Sequence, residues 1–474
     1  MGMTKTIAKN TLSLAVVQLV SQVSTLLLSI VLARYLGEND YGIYVYSFAL
    51  ASLAFIIADF SLGFLLVVEV SRNRGSAPQY IVNTMFLRMV LGGASMLIVA
   101  CVVLLRGLSP LAGFSIMIVA ASTFFNFLVA VFVSTYNAFE RMHYVLLTSL
   151  VERAFTVSAS IALVLSGFGL EYVVIVVLLG SILNFVMAYE VCTRLISRIA
   201  ERVSIKAALS QLRRAIPFAV TGMLLTTLYT LNTVLVGTWR GNEAAAFYGV
   251  GYGLAIAVIA LPAFFVGAML PAASQLYKSS MQLLNLLQQK TMKYLFSLGL
   301  PMAIGGLLVG PDIILLLYGA DYAPATGVFQ ILSITIAIVY FNSGTGNILA
   351  SADLMRLNTL SSALGAVVNL VLCAVLIPFY GQYGAAYAFT FAFIAMTISG
   401  QYFLGTRVFK VDYRDIAVKP LIAGAGMAIV MLLAMQTNVF AAAGMGVVTY
   451  FAIFFALRTL NHEDWEIIRN VFRK

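Results

Sequence analysis

The sequence predicts an all-α polytopic membrane protein with about 14 transmembrane helices, and three observations carry that expectation. Of its 474 residues 62% are hydrophobic and only 10% charged, against roughly 45–50% and 25% in soluble domains. The apolar residues fall in runs of about 20 or more, the length a helix needs to cross the hydrocarbon. These runs are unbroken, which excludes an outer-membrane barrel with its short segments of alternating polarity. An ordinary soluble enzyme is excluded by the same figures.

Lipid offers the backbone no hydrogen-bond partner, so each run must close its own bonds as a helix. In order, the runs lie at 11–33, 42–69, 81–105, 111–139, 144–166, 172–193, 215–239, 247–275, 293–318, 325–352, 357–379, 384–406, 417–435 and 440–459. The first is too long for a signal-peptide h-region and ends in Arg34-Tyr35-Leu36-Gly37 without a small-residue cleavage site, so it reads as an uncleaved span. Cys101 and Cys373 fall inside apolar runs and Cys192 ends one, which leaves no disulfide framework. His143 and His462 stand far apart, and neither a metal nor any other cofactor is expected.

Sorting the 28 Lys and Arg between alternate loops tests every boundary at once. With the N-terminus inside, twenty-three fall on the cytoplasmic side, Arg34, Arg106 and Arg240 fall outside, and Arg88 and Arg153 lie within spans. Both termini are therefore expected in the cytoplasm, in a multi-pass protein of the inner (cytoplasmic) cell membrane. The net charge of +10 is a topology signal, and no nucleic-acid partner is implied. Outer loops of about five to ten residues leave no room for an extracytoplasmic domain, so function sits in the membrane.

The domain organisation follows: an N-lobe of six spans over 1–193, a connector at 194–214, a C-lobe of six spans over 215–408, and two further spans with a cytoplasmic tail over 409–474. In the connector Arg194, Arg198, Arg202 and Lys206 recur at i, i+4 beside Leu195, Ile199 and Val203, the pattern of a basic amphipathic helix on the membrane surface or of a solvated loop. Glu463-Asp464-Trp465-Glu466 with Arg469 reads as a short interfacial helix.

Transporters are commonly built from two repeated halves, and a repeat is visible. Gly37-Glu38-Asn39-Asp40-Tyr41-Gly42-Ile43-Tyr44 lies against Gly241-Asn242-Glu243-Ala244-Ala245-Ala246-Phe247-Tyr248 at one offset, which also aligns Phe48 with Tyr252, Leu50 with Leu254 and Ala51 with Ala255. The segment Leu32 to Tyr44, Pro262 and Pro271 of span eight, and Asn369 to Tyr387 with its Pro378, Gly381 and Gly384 resemble the polysaccharide-biosynthesis flippases. These are the O-antigen-type members of the multidrug/oligosaccharidyl-lipid/polysaccharide exporter superfamily. The resemblance runs over essentially the whole chain. It implies two six-helix lobes around a central cavity plus two C-terminal helices, and movement of a polyprenyl-diphosphate-linked oligosaccharide from the inner to the outer leaflet. Membrane lipids and other envelope polysaccharide assembly proteins are the further partners it implies. Asn232 departs from an Asp that many members carry in span seven, which sets aside an ion-coupling role for that acid.

Ionisable side chains inside a bilayer usually face a cavity or a partner, because each costs at least about 2.5–3.5 kcal/mol there. Asp59 in span two, Arg88 in span three and Arg153 beside Glu152 in span five are the deep ones. Asp59 is expected near the bilayer centre, lining the cavity or paired to Arg88 or Arg153. A guanidinium fork suits bidentate recognition of a diphosphate, the role considered for Arg88 and Arg153 against snorkelling and lobe-internal pairing. Arg34 and Arg240 close spans one and seven at equivalent places in the repeat and form either an outward release site or contacts to outer-leaflet phosphates. Gln18 and Gln22 share a face of span one, and Asn232 sits in a polar stretch with Thr226, Thr230 and Thr233; such groups bind sugar hydroxyls or link helices.

No P-loop occurs, so ATP-driven transport by this chain is not expected. A diphosphate moving outward from a negative interior gains about 2.3 kcal/mol per charge per 100 mV, and cation coupling through Asp59 is the other drive. The chain is not expected to be an enzyme. The alternatives are an organic-cation antiporter of the same superfamily, a membrane glycosyltransferase or polymerase, for which the outer loops are too short, and a non-transporting scaffold.

Overall fold

A computed structural model describes residues 2–196, 201–436, 438–457 and 459. Among them every regular element is a helix and there is no strand. It divides into two units, residues 1–249 with 377–385, and residues 250–376 with 386–474.

The first unit contains α1 (Gly2–Asp59), α2 (Leu62–Arg72), α3 (Ala77–Arg106), α4 (Pro110–Ala138), α5 (His143–Leu165), α6 (Leu170–Leu195), α7 (Ile205–Arg240) and the start of α8 (Asn242–Ile259). Around α4 run two buried layers: Phe55, Val99, Ile116, Val119 and Phe127 in one, Leu66, Ile81, Phe132 and Tyr136 in the other. The second unit continues through α9 (Pro262–Ser279), α10 (Met281–Leu308), α11 (Gly310–Tyr318), α12 (Pro324–Phe341), α13 (Thr345–Ser351), α14 (Met355–Tyr380), α15 (Gln382–Arg407), α16 (Tyr413–Ala434) and α17 (Val439–Ala456). There α10 packs closely on α12, since a side chain at Gly299 or Gly306 would collide with Tyr340 or Ser333. Many large apolar side chains face outward, Leu104 and Leu105 among them at 80% and 87% exposed. Such exposure is stable only against lipid.

Twelve stretches among the described residues are long and apolar enough to cross a membrane. The first, Val16–Ile56, joins two expected spans through Gly37, whose φ of 79° and ψ of 172° break the helix. The span expected at 215–239 lies in α7, a 36-residue helix whose first third carries Lys206, Arg213 and Arg214, and which falls outside the twelve. Those two differences account for the fourteen spans of the sequence.

The proposed repeat has a backbone counterpart. Gly241, the residue aligned with Gly37, ends α7 at φ 92° and ψ −179°, the same glycine-only region. The two copies meet inside the first unit, where Asn242 Nδ2 donates to Asn39 Oδ1 at 3.0 Å and Gly42 admits the Asn242 carbonyl against its Cα.

The sequence reading needs correction at the connector. Residues 205–214 are the first turns of α7 and not a separate surface helix, and 201–204 form a non-helical strap. The strap is held by Gln79 Nε2 donating to the Arg202 carbonyl and by the Ser204 N–H donating to Asn83 Oδ1, which spends backbone groups that a surface helix would keep. Residues 197–200, including Arg198, and the segment Glu463 to Arg469 lie outside the described residues. Four expected spans are also broken. The second splits at Phe60 and Ser61 and the eighth between Ile259 and Pro262. The ninth splits at Val309, and the tenth between Phe341 and Thr345.

Candidate functional site

The break in span two positions the site. Phe60 and Ser61 take left-handed φ of 39° and 50°, which ends α1 at Asp59 and restarts the chain as α2. Neither residue is Gly or Pro, so the strain is held by its surroundings, a pattern common at functional sites. At 1.5 Å per residue Asp59 lies about 33 Å along the helix from Gly37, and Arg88 about 17 Å from the start of α3.

The structure brings Asp59 and Arg88 together, with Arg88 Nη2 2.9 Å from Asp59 Oδ1. Their environments differ sharply: the Arg88 side chain is 3% exposed and that of Asp59 57%. Arg88 Nη1 donates to the Phe127 carbonyl, and its guanidinium carbon lies 4.4 Å from the Phe127 ring centre. The remaining Nε is buried without a partner. Gly63 makes the approach possible, because a Cβ there would stand 2.6 Å from Ser134 Oγ and 3.3 Å from Arg88 Nη2. Arg88 thus holds the acid from behind and does not present its fork to an open space.

Asp59 borders a cavity of about 230 Å³ within the first unit, walled by α1, the break, α4 and α7. Ser52, Ser61, Thr123 and Thr226 supply hydroxyls, Phe55 and Phe60 supply rings, and Gly222 leaves one wall bare. Thr123 and Thr226 donate to Val119 and Gly222 carbonyls of their own helices, so their oxygens face outward as acceptors. Chemically the cavity sets one carboxylate and four hydroxyls among apolar walls. Among the described residues no group of His, Cys, Asp and Glu could hold a metal ion.

The other expected site residues lie elsewhere. Arg153 Nε reaches its own neighbour Glu152 Oε2 at 3.4 Å, although adjacent positions on a helix diverge, because the long arginine stem bends back. Asn232 is fully buried and donates to the Ala385 carbonyl at 3.0 Å. Arg240 Nη1 donates to the Pro378 carbonyl at 3.3 Å, bracing the turn between α14 and α15. Arg34 is exposed just before Gly37; on α1, Gln18 is exposed and Gln22 half-buried.

Two polar clusters were missed by the sequence reading. At the far end of α2, Arg214 of α7 pairs with Glu69, whose Oε2 also accepts from Tyr80 OH of α3 at 3.3 Å. In the second unit Lys293, at the first position of the ninth apolar run, lies within α10 with 2% of its side chain exposed and meets Asp415 of α16 at 3.0 Å. The acids Glu69 and Asp415 at span ends were the available signals.

Comparison with known proteins places this geometry in context. A curated relative, described as an uncharacterized membrane protein of Methanocaldococcus jannaschii, is 30% identical over 176 residues, 37% of this chain; the match spans about a third (35%) of that protein's length. The solved structure of a lipid II flippase, MurJ, in an inward closed conformation superposes with TM-score 0.77 at 15% identity, over 94% of this chain and 98% of that one. An inward-facing multidrug resistance MATE family transporter of the MOP superfamily gives 0.64 at 13% identity, over 81% and 94%. At these identities the likeness is one of fold. The protein is accordingly a multi-pass membrane protein with the fold of that transporter superfamily. Residues 7–277, more than half of the chain, match a sequence family described as polysaccharide biosynthesis protein, and it is to this family that the chain belongs.

Proposed function

We propose that the chain is a flippase that carries a polyprenyl-diphosphate-linked oligosaccharide from the inner to the outer leaflet of the cell membrane by alternating access, with both termini cytoplasmic and no covalent chemistry of its own. The observation that carries the reading is the cavity at Asp59, where a carboxylate and several hydroxyls line a space within a largely apolar helix bundle. A buried ion pair with one partner exposed is expensive to keep in a membrane unless something polar passes by it. Membership of a polysaccharide biosynthesis family and a fold shared with a lipid II flippase support the choice of cargo. The direct test is leaflet translocation of a fluorescent polyprenyl-diphosphate oligosaccharide in vesicles containing the purified chain. Translocation that depends on the protein supports the proposal, and its absence at verified incorporation overturns it.

A second reading, an organic-cation antiporter, is favoured by the exposed Asp59 carboxylate and by the fold shared with multidrug transporters. Efflux of an organic cation that fails in Asp59→Asn, without saccharide translocation, is the result that selects it.

A further inference from the structure

We infer that the first-unit cavity takes an uncharged sugar residue of the cargo through its hydroxyl groups, with Asp59 as the anchoring acceptor and Arg88 as a positioning residue that never touches the cargo. The inference rests on the flippase reading above and assigns the part of the cargo that this cavity recognises.

The argument starts from hydrogen-bond inventory. Arg88 binds Asp59 Oδ1 through Nη2 and the Phe127 carbonyl through Nη1, and with 3% of its side chain exposed it has no donor to offer the cavity. A phosphate is acceptor-only when ionised, so here it would meet the Asp59 carboxylate and the outward-facing lone pairs of Thr123 and Thr226, with only the neutral hydroxyls of Ser52 and Ser61 to donate to it and no cation to balance its charge. A sugar hydroxyl is the reverse case, since each can donate to Asp59, Thr123 or Thr226. The ion pair also makes the local charge neutral, which removes the net attraction that a cation would need. Arg88 is fixed by the Phe127 carbonyl and ring, so it holds Asp59 Oδ1 in place before the cargo arrives and leaves Oδ2 to accept from it. The Phe55 and Phe60 side chains give the apolar walls against which the C–H face of a pyranose packs.

The cavity can be filled without touching the ion pair. A Cβ on Gly222 would meet only Ser61 Oγ, at an ordinary 3.7 Å, so Gly222→Leu projects into the space with little backbone strain. The test is saturation-transfer NMR on the full chain in detergent micelles, with glucose, galactose, mannose and N-acetylglucosamine each as the probe. Inorganic pyrophosphate and tetraethylammonium serve as competitors. At least one sugar is expected to receive saturation, and pyrophosphate and tetraethylammonium to leave it in place. Loss of a hydrogen bond to a charged acceptor weakens binding by about tenfold or more, the effect expected in Asp59→Asn. Gly222→Leu, with its melting temperature retained, is expected to lose the signal, and it decides the matter if Asp59→Asn misfolds. Displacement by pyrophosphate or tetraethylammonium, no signal from any sugar, or a signal that survives Gly222→Leu overturns the inference. Translocation by the wild-type preparation separates the two failures: translocation without sugar binding retires the cavity assignment alone, and no translocation retires the flippase reading beneath it.

Discussion

Asp59 and Arg88 form one ion pair, but removing either partner leaves a different debt. Without Asp59, Arg88 keeps its charge at 3% exposure with only a carbonyl and a ring for company; breaking a buried pair in this way costs about 3–5 kcal/mol. Without Arg88, the carboxylate is already 57% exposed and rehydrates, so Arg88→Met costs about 1–2 kcal/mol. Asp59→Ala is therefore expected to melt well below Arg88→Met in the same detergent, and the reverse order would show that Arg88 is wetter than its packing indicates. Gly63 gives a second check on this packing. Gly63→Ala is expected to destabilise by about 1–3 kcal/mol through the contact with Ser134 Oγ, and Ser134→Ala in the same chain to restore most of it. The presence of deep charges was readable, because Asp and Arg are rare in apolar runs. Their pairing was not, since residues 29 positions apart meet only once α1 is ended at Asp59 by a break that no Gly or Pro announces.

Helix ends show what a short motif can and cannot reveal. Gly37 and Gly241 share φ near 80–90° with ψ close to 180°, a region closed to other residues, and a Cβ on either would touch nothing within 4 Å. The penalty of Gly37→Ala or Gly241→Ala is thus purely a backbone effect of about 1–3 kcal/mol. Gly107, in ordinary left-handed geometry at φ 56° and ψ 41°, should accept Asn with far less loss. Comparing the melting temperatures of Gly37→Ala, Gly241→Ala and Gly107→Asn checks the distinction, and equal losses would refute it. The link among α2, α3 and α7 at Glu69, Tyr80 and Arg214 lies on the side of the cavity opposite Gly37, about 8 Å along α7 from Ala219. With Arg214 half exposed such a pair is worth about 1 kcal/mol or less, so Arg214→Ala is expected to speed labelling of a cysteine placed at Gly222 by about two- to fivefold. An unchanged rate would mean that the link does not restrict entry. The paired glycines were legible as a repeat in sequence; the link was not, because it joins three helices through side chains that look like ordinary loop charges.

At the scale of the whole molecule, the helical class and the positions of the spans were legible, because lipid imposes one length and one composition on every crossing. The breaks within spans were less so. Pro262 and Gly344 mark two of them, whereas Phe60 and Ser61 carry no local signal and owe their geometry to tertiary packing. Residues 205–214 show the opposite error: a basic amphipathic pattern that suits a surface helix equally suits the entry of a long membrane helix, and only the strap to Gln79 and Asn83 decides between them. The burial of Lys293 was not legible for a related reason, since α10 begins twelve residues before the apolar run and packs that lysine against Asp415. The charge asymmetry sorts nearly all Lys and Arg onto alternate turns, with Arg34, Arg106 and Arg240 opposite them. The orientation that follows is testable without a substrate. A phosphatase active only outside the cytoplasm, fused after Gly107, Gly167 or Gly319, is expected to be active, and fused after Arg141 or Ser280 to be inactive. Replacing Arg34, Arg106 and Arg240 together by Ala should leave this pattern unchanged, because the opposite turns already hold the larger charge. Activity at Arg141 in place of Gly107 would invert the molecule, put Glu69 and Arg214 on the outer side, and turn the proposed direction of transport around.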